Sequence, residues 1–325
     1  MTLLVLWLLF SPPALRAADT GRLMISGSTT VLPLTEAAAE RYMAAGGNIH
    51  LSVSGTGTGE GIKSLVDGNI DLAGASRDLL PAERIRAERL GVKLLRHSVA
   101  LDALAVVVNP ANPLDEITLD DLERVYVGEV KNWRELGSFD RPVIAINRDS
   151  SSGTFEMWLS LVLKGKRYRH DAQVQPSGGG VTYAVGGNKN AVGYVGIGFV
   201  NPRVKVLKVD GYAPTGENVL NGDYPLTREL YFFTRDPVPP EAGLFLDFIR
   251  SPVGREIIQN AGFLPIPVEP FRRAPETIGA PNLGEEGKAP RPSADDNGSA
   301  DGPDPDEGEE APPPQPGADL KDQSG

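Results

Sequence analysis

The sequence predicts an α/β fold with largely parallel sheets between Gly21 and Pro267, and three observations carry that prediction. Short apolar runs alternate with stretches of helical periodicity. Four of those runs end in turns built from Ser, Thr, Gly or Arg that open directly into a helix pattern. The chain has 325 residues, 40% of them hydrophobic, enough for two lobes of ordinary size with further segments attached.

Leu23-Met24-Ile25 is a strand that runs into Gly27-Ser28-Thr29-Thr30, followed by a helical pattern from Thr35 to Ala45. Ile49 to Val53 runs into Ser54-Gly55-Thr56-Gly57-Thr58-Gly59, then a helix over Gly61 to Val66. Asp71-Leu72-Ala73 leads to Ser76-Arg77-Asp78 and a charged helix from Pro81 to Leu90. Leu101 to Asn109 is an apolar strand stopped by Pro110 and Pro113. Thr118-Leu119-Asp120-Asp121 reads as a capping box for a helix whose face holds Leu119, Leu122 and Val125. Pro142 to Ile146 is a buried strand that delivers Arg148 at its carboxyl end. Ala191 to Val200 and Leu226 to Thr234 supply further strands, and Leu244 to Arg250 with Gly254 to Asn260 supply closing helices.

The fourth junction is the most informative. Arg148-Asp149-Ser150-Ser151-Ser152-Gly153-Thr154 puts a cation and small hydroxyl residues ahead of the apolar run Phe155 to Leu163. If Ser152 to Thr154 start a helix, backbone N–H groups and hydroxyls converge near the guanidinium, which is the chemistry of an anion site. Ordinary N-capping uses the same residues. Four such junctions, all beyond the carboxyl ends of strands where open α/β sheets hold ligands, suggest a shared ligand.

Composition bounds the ends and the chemistry. Residues 2 to 10 form an apolar run followed by small residues to Ala18, so residues 1–18 are expected to be a signal peptide, too short for a comfortable membrane span. There is no cysteine, which excludes disulfides, thiol catalysis, cysteine-bound metals and the usual lipoprotein attachment site. Residues 271–325 carry thirteen acidic against five basic residues, a net of -8 within a whole-chain charge of -11, and are rich in Pro and Gly; a disordered acidic tail is expected. The acidic balance argues against nucleic acid as a partner. His50, His97 and His170 lack metal-ligand spacing. Gly59-Glu60-Gly61-Ile62-Lys63-Ser64 fails as a P-loop because Ile62 stands where glycine must precede the lysine. Ser152 has no histidine framed to act as its base. The basic stretch Lys164 to His170 reads as a solvated loop after a helix.

Taken in order, several motifs resemble the substrate-binding proteins of high-affinity phosphate ABC transporters. They are Gly27 to Leu34, Ser54 to Ile62, Ala75-Ser76-Arg77-Asp78-Leu79, Thr118 through Trp133, Arg148 to Thr154, Ala191-Val192-Gly193-Tyr194, Tyr224-Pro225-Leu226, and Ser251 to Gly254 with Gly262 to Pro265. The likeness covers about Leu23 to Pro267. It implies a type II periplasmic binding protein fold: two α/β lobes joined by two crossover segments, near Ala105 to Asn109 and Leu226 to Tyr231, with the ligand in the interlobe cleft. Lobe one would comprise about residues 19–104 and 229–270, and lobe two about 105–228. Carried over by position, the phosphate contacts would be Thr29, Thr30, Thr58, Ser76 and Arg77 from lobe one, and Arg148, Ser152, Gly153 and Thr154 from lobe two. The resemblance further implies a monomeric, non-enzymatic periplasmic protein without metal or cofactor, which meets the membrane only through ABC permease subunits.

One position departs from the pattern. Many phosphate binders place an aspartate after the Ala-Ser of the third turn, where it accepts the proton of the ligand; here that residue is Arg77. Asp78, Asp149 and Glu60 are the alternative acceptors, and the substitution keeps sulfate or molybdate open as ligands. A phosphate-ester hydrolase and an envelope scaffold protein are the readings from other classes.

Overall fold

Parallel pairing of short apolar strands sets the first half of the architecture. In the computed structural model, which describes residues 21–47 and 49–266, β1 (Gly21–Gly27), β2 (Ile49–Gly55) and β3 (Leu72–Ala75) pair in the order β2-β1-β3, with Leu23 beside Leu51 and Ile25 beside Val53 and Leu72. Each strand is followed by a helix, as parallel pairing requires: α1 (Leu32–Ala44), α2 (Thr58–Val66) and α3 (Pro81–Arg89). All three carboxyl ends therefore point to one edge, where the hydroxyl-rich turns collect. The approach is close there. A Cβ on Gly27, whose φ is +131°, would lie 2.2 Å from the Gly74 carbonyl oxygen, so only glycine fits that corner.

The next strand, β4 (Leu94–Val108), has 15 residues and runs out of this lobe into the second. The second lobe follows: β5 (Glu116–Ile117), α4 (Leu119–Val127), β6 (Ile144–Arg148), α5 (Gly153–Leu161), β7 (Gln173–Gln175), α6 (Gly178–Gly187), β8 (Ala191–Gly196), β9 (Lys205–Val206), β10 (Lys208–Val209) and α7 (Gly216–Asn221). The chain returns along β11 (Thr227–Arg235), and α8 (Pro240–Arg250), α9 (Pro252–Asn260) and β12 (Leu264–Pro265) complete lobe one.

Among the described residues the main sheet runs β2-β1-β3-β11-β4-β8-β6-β7, with β9 and β12 also on β4. Its two wings are parallel, but β11 pairs antiparallel with both β3 and β4, and β4 antiparallel with β8. The expectation of largely parallel sheets is thus corrected at the centre. A chain that leaves a lobe on one strand and returns on the next must run the second strand backwards. β4 exchanges partners between Ala103, which faces Thr227, and Leu104, which faces Gly196. The first crossover therefore lies one residue before the expected Ala105–Asn109, and the second begins at Leu226, whose carbonyl accepts from the Leu104 N–H at 2.8 Å.

Helix starts also shift from expectation. α1 begins at Leu32 rather than Thr35, α2 at Thr58 rather than Gly61 and α8 at Pro240 rather than Leu244. Proline near the start supplies the fixed φ that opens α1 and α8. Each lobe has its own core. Leu23, Ile25, Leu34, Leu72, Phe232 and Phe245 pack in lobe one. Val106, Tyr126, Trp133, Trp158 and Tyr194 pack in lobe two. Full burial of a side chain of this size contributes roughly 1.5–3 kcal/mol.

The described residues belong to one compact unit. The expected signal peptide and acidic tail also lie outside the described residues. No described helix is long and apolar enough to cross a membrane.

Candidate functional site

The hydroxyl-rich turns of both lobes meet at the carboxyl ends of the parallel strands. β1 ends at Gly27 and hands over to Ser28, Thr29 and Thr30; the Ser28 hydroxyl accepts from the Thr30 N–H at 3.1 Å and fixes that turn. β6 ends at Arg148 itself. Beneath it, Trp158 stacks on Tyr194 at 4.0 Å between ring centroids, and the Tyr194 hydroxyl binds Asn147, so an aromatic platform sets the height of the arginine. Burial pushes the Tyr194 hydroxyl well above its ordinary pKa, which keeps it a neutral donor. Ser152 caps α5, its Oγ accepting from the N–H groups of Thr154 at 3.2 Å and Phe155 at 3.4 Å. Capping and convergence on the site are therefore the same local structure.

Contacts across the cleft are direct. Thr30 Oγ1 of lobe one lies 3.0 Å from Thr154 Oγ1 of lobe two. Arg148 Nη2 donates to Thr29 Oγ1 at 3.1 Å, while its Nε and Nη2 also donate to the carbonyls of Gln175 (3.1 Å) and Pro176 (3.0 Å). The Gly59 N–H donates to the Ser151 carbonyl at 3.2 Å. Gly153 sits so close to Thr58 and Ser76 that a Cβ would come within 2.6 and 2.7 Å of their hydroxyl oxygens. Those two hydroxyls are themselves 3.3 Å apart. Eight of the nine residues expected to bind ligand, Thr29, Thr30, Thr58, Ser76, Arg148, Ser152, Gly153 and Thr154, are thus brought to one junction between the lobes.

The ninth, Arg77, is adjacent but differently engaged. Its Nη1 and Nη2 donate to the two carboxylate oxygens of Glu83 at 2.7 and 2.8 Å, Nη1 also reaches the Asp78 carbonyl at 2.8 Å, and Nε donates to Glu156 of α5. Its charge is met by two carboxylates. Burial alone would weaken the guanidinium's hold on its proton, but the hydrogen bonds and charges of Glu83 and Glu156 raise its pKa above the ordinary value.

Arg228 escaped the sequence reading. It rises from β11 and is 5% exposed; Nη1 donates to Thr154 Oγ1 at 3.0 Å and Nη2 to Thr30 Oγ1 at 3.4 Å, so it underlies both lobes' threonines. Asp102 on β4 pairs with it. A signal was present in the sequence: each is a charge set within an apolar strand run, and such charges are buried only with a partner.

The three candidate proton acceptors separate. Asp78 is held by Arg84 at 3.1 Å and Arg96 at 2.6 Å, and Glu60 pairs with Lys63 with more than half its side chain exposed. Asp149 lies beside the site: it accepts from the Ser151 N–H (3.1 Å) and hydroxyl (2.5 Å), and from Arg148 Nη2 at 3.3 Å. Among the described residues no cluster could hold a metal ion. His97 is bound by Thr234 at 2.9 Å on lobe one, and neither it nor another histidine contacts Ser152. The loop basic residues are also occupied, Lys164 and Lys166 on Glu123 and Arg169 on Asp171. A junction of hydroxyls, backbone N–H groups and arginines can coordinate an oxyanion.

The chain is similar to known proteins over most of its length. A family model described as a PBP superfamily domain matches residues 13–253. A phosphate-binding protein PstS of Bacillus subtilis is 29% identical over 249 residues, which span 76% of this chain and 81% of that protein. The crystal structure of a phosphate ABC transporter substrate-binding protein from Clostridium perfringens with bound phosphate superposes with a TM-score of 0.71 at 30% identity, covering 76% of this chain and all (100%) of that one. An ABC-type phosphate transport receptor from Vibrio cholerae gives 0.63 at 29% identity over 74% of this chain and 99% of its own. With the two-lobed fold and the matched length in agreement, the chain belongs to the PBP superfamily, in the family of ABC-transporter substrate-binding proteins.

Proposed function

We propose that the protein binds inorganic phosphate between its lobes and delivers it to an ABC permease. The observation that carries this is the meeting of Thr30 and Thr154, from opposite lobes, over Arg228 and beside Arg148, in a region shared with a relative crystallised with phosphate. The ligand contacts are Thr29, Thr30, Thr58, Ser76, Arg148, Ser152, Gly153 and Thr154, with Arg77 buried beside them in its pairing with Glu83 and Glu156. Lobe one spans about residues 19–104 and 229–270 and lobe two about 105–228, in keeping with the partner exchange of β4 at Ala103 and Leu104.

Hydroxyls and N–H groups replace the hydration shell of the anion through many short bonds, while Arg148 and Arg228 supply positive charge. Contacts from both lobes exist together only when the cleft is shut. The anion therefore favours the closed state by its differential affinity, and the permease recognises closure. Export past residues 1–18, a periplasmic location and a monomeric state accompany this role.

Asp149, the carboxylate at the site, accepts the proton of protonated phosphate, which separates phosphate from fully ionised sulfate. Calorimetry of the mature chain with phosphate, sulfate and molybdate tests the assignment. Heat with phosphate alone at micromolar concentration is expected, with selectivity over sulfate that depends on pH. Sulfate or molybdate binding in preference to phosphate would replace the ligand, and silence with all three would remove the function.

A further inference from the structure

Arg77 is the one arginine at the junction whose carboxylate partners come from both lobes. Glu83 lies in α3 of lobe one, six residues on, and meets the guanidinium with both oxygens. That carboxylate is itself fixed, since it also accepts from the Leu80 N–H at 2.8 Å where it closes the cap of α3. Glu156 lies in the first turn of α5 in lobe two and takes the Nε side. The Arg77 side chain is 3% exposed, and those of Glu83 and Glu156 are each 18% exposed.

We propose that Arg77 and Glu156 form a latch between the lobes, braced by Glu83, that holds the cleft shut and sets the rate at which bound anion leaves. It acts on the cleft assigned above to phosphate, and so rests on that reading. Shape and charge both fit a reversible latch. When the lobes part, Arg77 keeps its two bonds to Glu83, so no buried cation is left unpaired. Glu156 returns to water at the start of a helix, where a carboxylate is favourably placed. A cavity of about 420 Å³ lined by Arg77, Asp78, Met157 and Arg228 reaches the arginine from the side of the strands that join the lobes. Closed, the pair is largely dry and its attraction is correspondingly strong. The Asp102–Arg228 pair cannot serve in this way, because both residues stand on the strands that join the lobes and remain paired in either state.

The absence of cysteine in the chain allows site-specific spin labels. A Glu40→Cys/Lys189→Cys background places one label on α1 of lobe one and one at an exposed position of lobe two. Lobe separation is then measured by pulsed electron resonance without phosphate, and phosphate dissociation by stopped flow. Glu156→Gln is expected to shift the ligand-free distances toward the open population and to raise the phosphate dissociation rate about tenfold or more, with association changed by less than about threefold. Arg77→Lys, which keeps the charge and loses the fork, moves both readouts the same way and serves where Glu156→Gln is poorly folded. Glu156→Asp is expected to recover part of the slow dissociation. Unchanged distances and dissociation within about twofold in folded Glu156→Gln would overturn the latch. If the parent protein binds no phosphate, the function above fails, while the ligand-free distances still decide the latch: a shift in Glu156→Gln upholds it, and none overturns it.

Discussion

Arg228 and Asp102 stand opposite each other on the two antiparallel strands that join the lobes, and the guanidinium donates from Nε and Nη2 to a single carboxylate oxygen, at 2.9 and 2.7 Å. The other oxygen accepts the Ile197 N–H at 2.9 Å. Lobe one, lobe two and the crossover are thus tied to one buried pair. Burial pushes the Asp102 carboxyl up, and Arg228 opposes that shift through its charge and hydrogen bond.

Removing one partner of this pair is predicted to cost far more than removing both. Asp102→Asn leaves a buried cation without its counter-charge and should lose about 3–5 kcal/mol in denaturant unfolding. The pair Asp102→Leu/Arg228→Met should lose less than that single change. A loss under about 1 kcal/mol for Asp102→Asn would mean that the pair is not the structural tie described.

Arg148→Ala is predicted to weaken phosphate binding by at least about 2 kcal/mol, roughly thirtyfold, because it removes a buried charged donor from the anion. Arg148→Lys should recover little. The native side chain spans two carbonyls and Thr29 at once, and an ammonium has no fork to do so. Calorimetry on both variants checks this, and normal affinity in Arg148→Ala removes the residue from the site.

Local chemistry made part of this site legible in the sequence. Ser152, Gly153 and Thr154 were readable because the residues that cap a helix also present donors at its start. Arg228 and Asp102 were not: they are 126 positions apart, and only the antiparallel return of β11 makes them neighbours. The position of Arg77 was legible and its engagement was not, since Glu156 lies 79 residues away on the other lobe. Sheet direction followed the same division. The parallel wings follow from strand-helix alternation, whereas β4 and β11 take their direction from the passage between lobes, which no local pattern encodes.

Acid sensitivity has an identifiable surface contributor. The Arg169 fork holds the Asp171 carboxyl down to about 2 from an ordinary 3.8. The folded value lies below the unfolded one, so the stabilisation is fully present above the unfolded value and is lost as pH falls through the folded one. The group is exposed, so the contribution is small. Asp171→Asn should melt slightly below the parent at neutral pH, and the difference should close as pH falls to about 2. A difference that widens toward acid would contradict the sign.

Gly153→Ala separates folding from closure. At the start of α5 the glycine does not need a left-handed backbone, so alanine should suit the helix at least as well, and the melting temperature should hold or rise. In the closed cleft, however, the new methyl would lie 2.6 Å from Thr58 Oγ1, 2.7 Å from Ser76 Oγ and 3.0 Å from Thr58 Cβ, all on the opposite lobe. These are short side chains, 0% and 1% exposed, with little room to withdraw. Overpacking of this kind costs about 1–3 kcal/mol. Because the cost falls only on the closed state, it should appear as roughly a 5- to 150-fold loss of phosphate affinity in a protein that is otherwise as stable as the parent. Affinity and melting temperature measured on the same preparation decide the matter: parental affinity in Gly153→Ala would show that the lobes bind phosphate without closing as tightly as Gly153 allows.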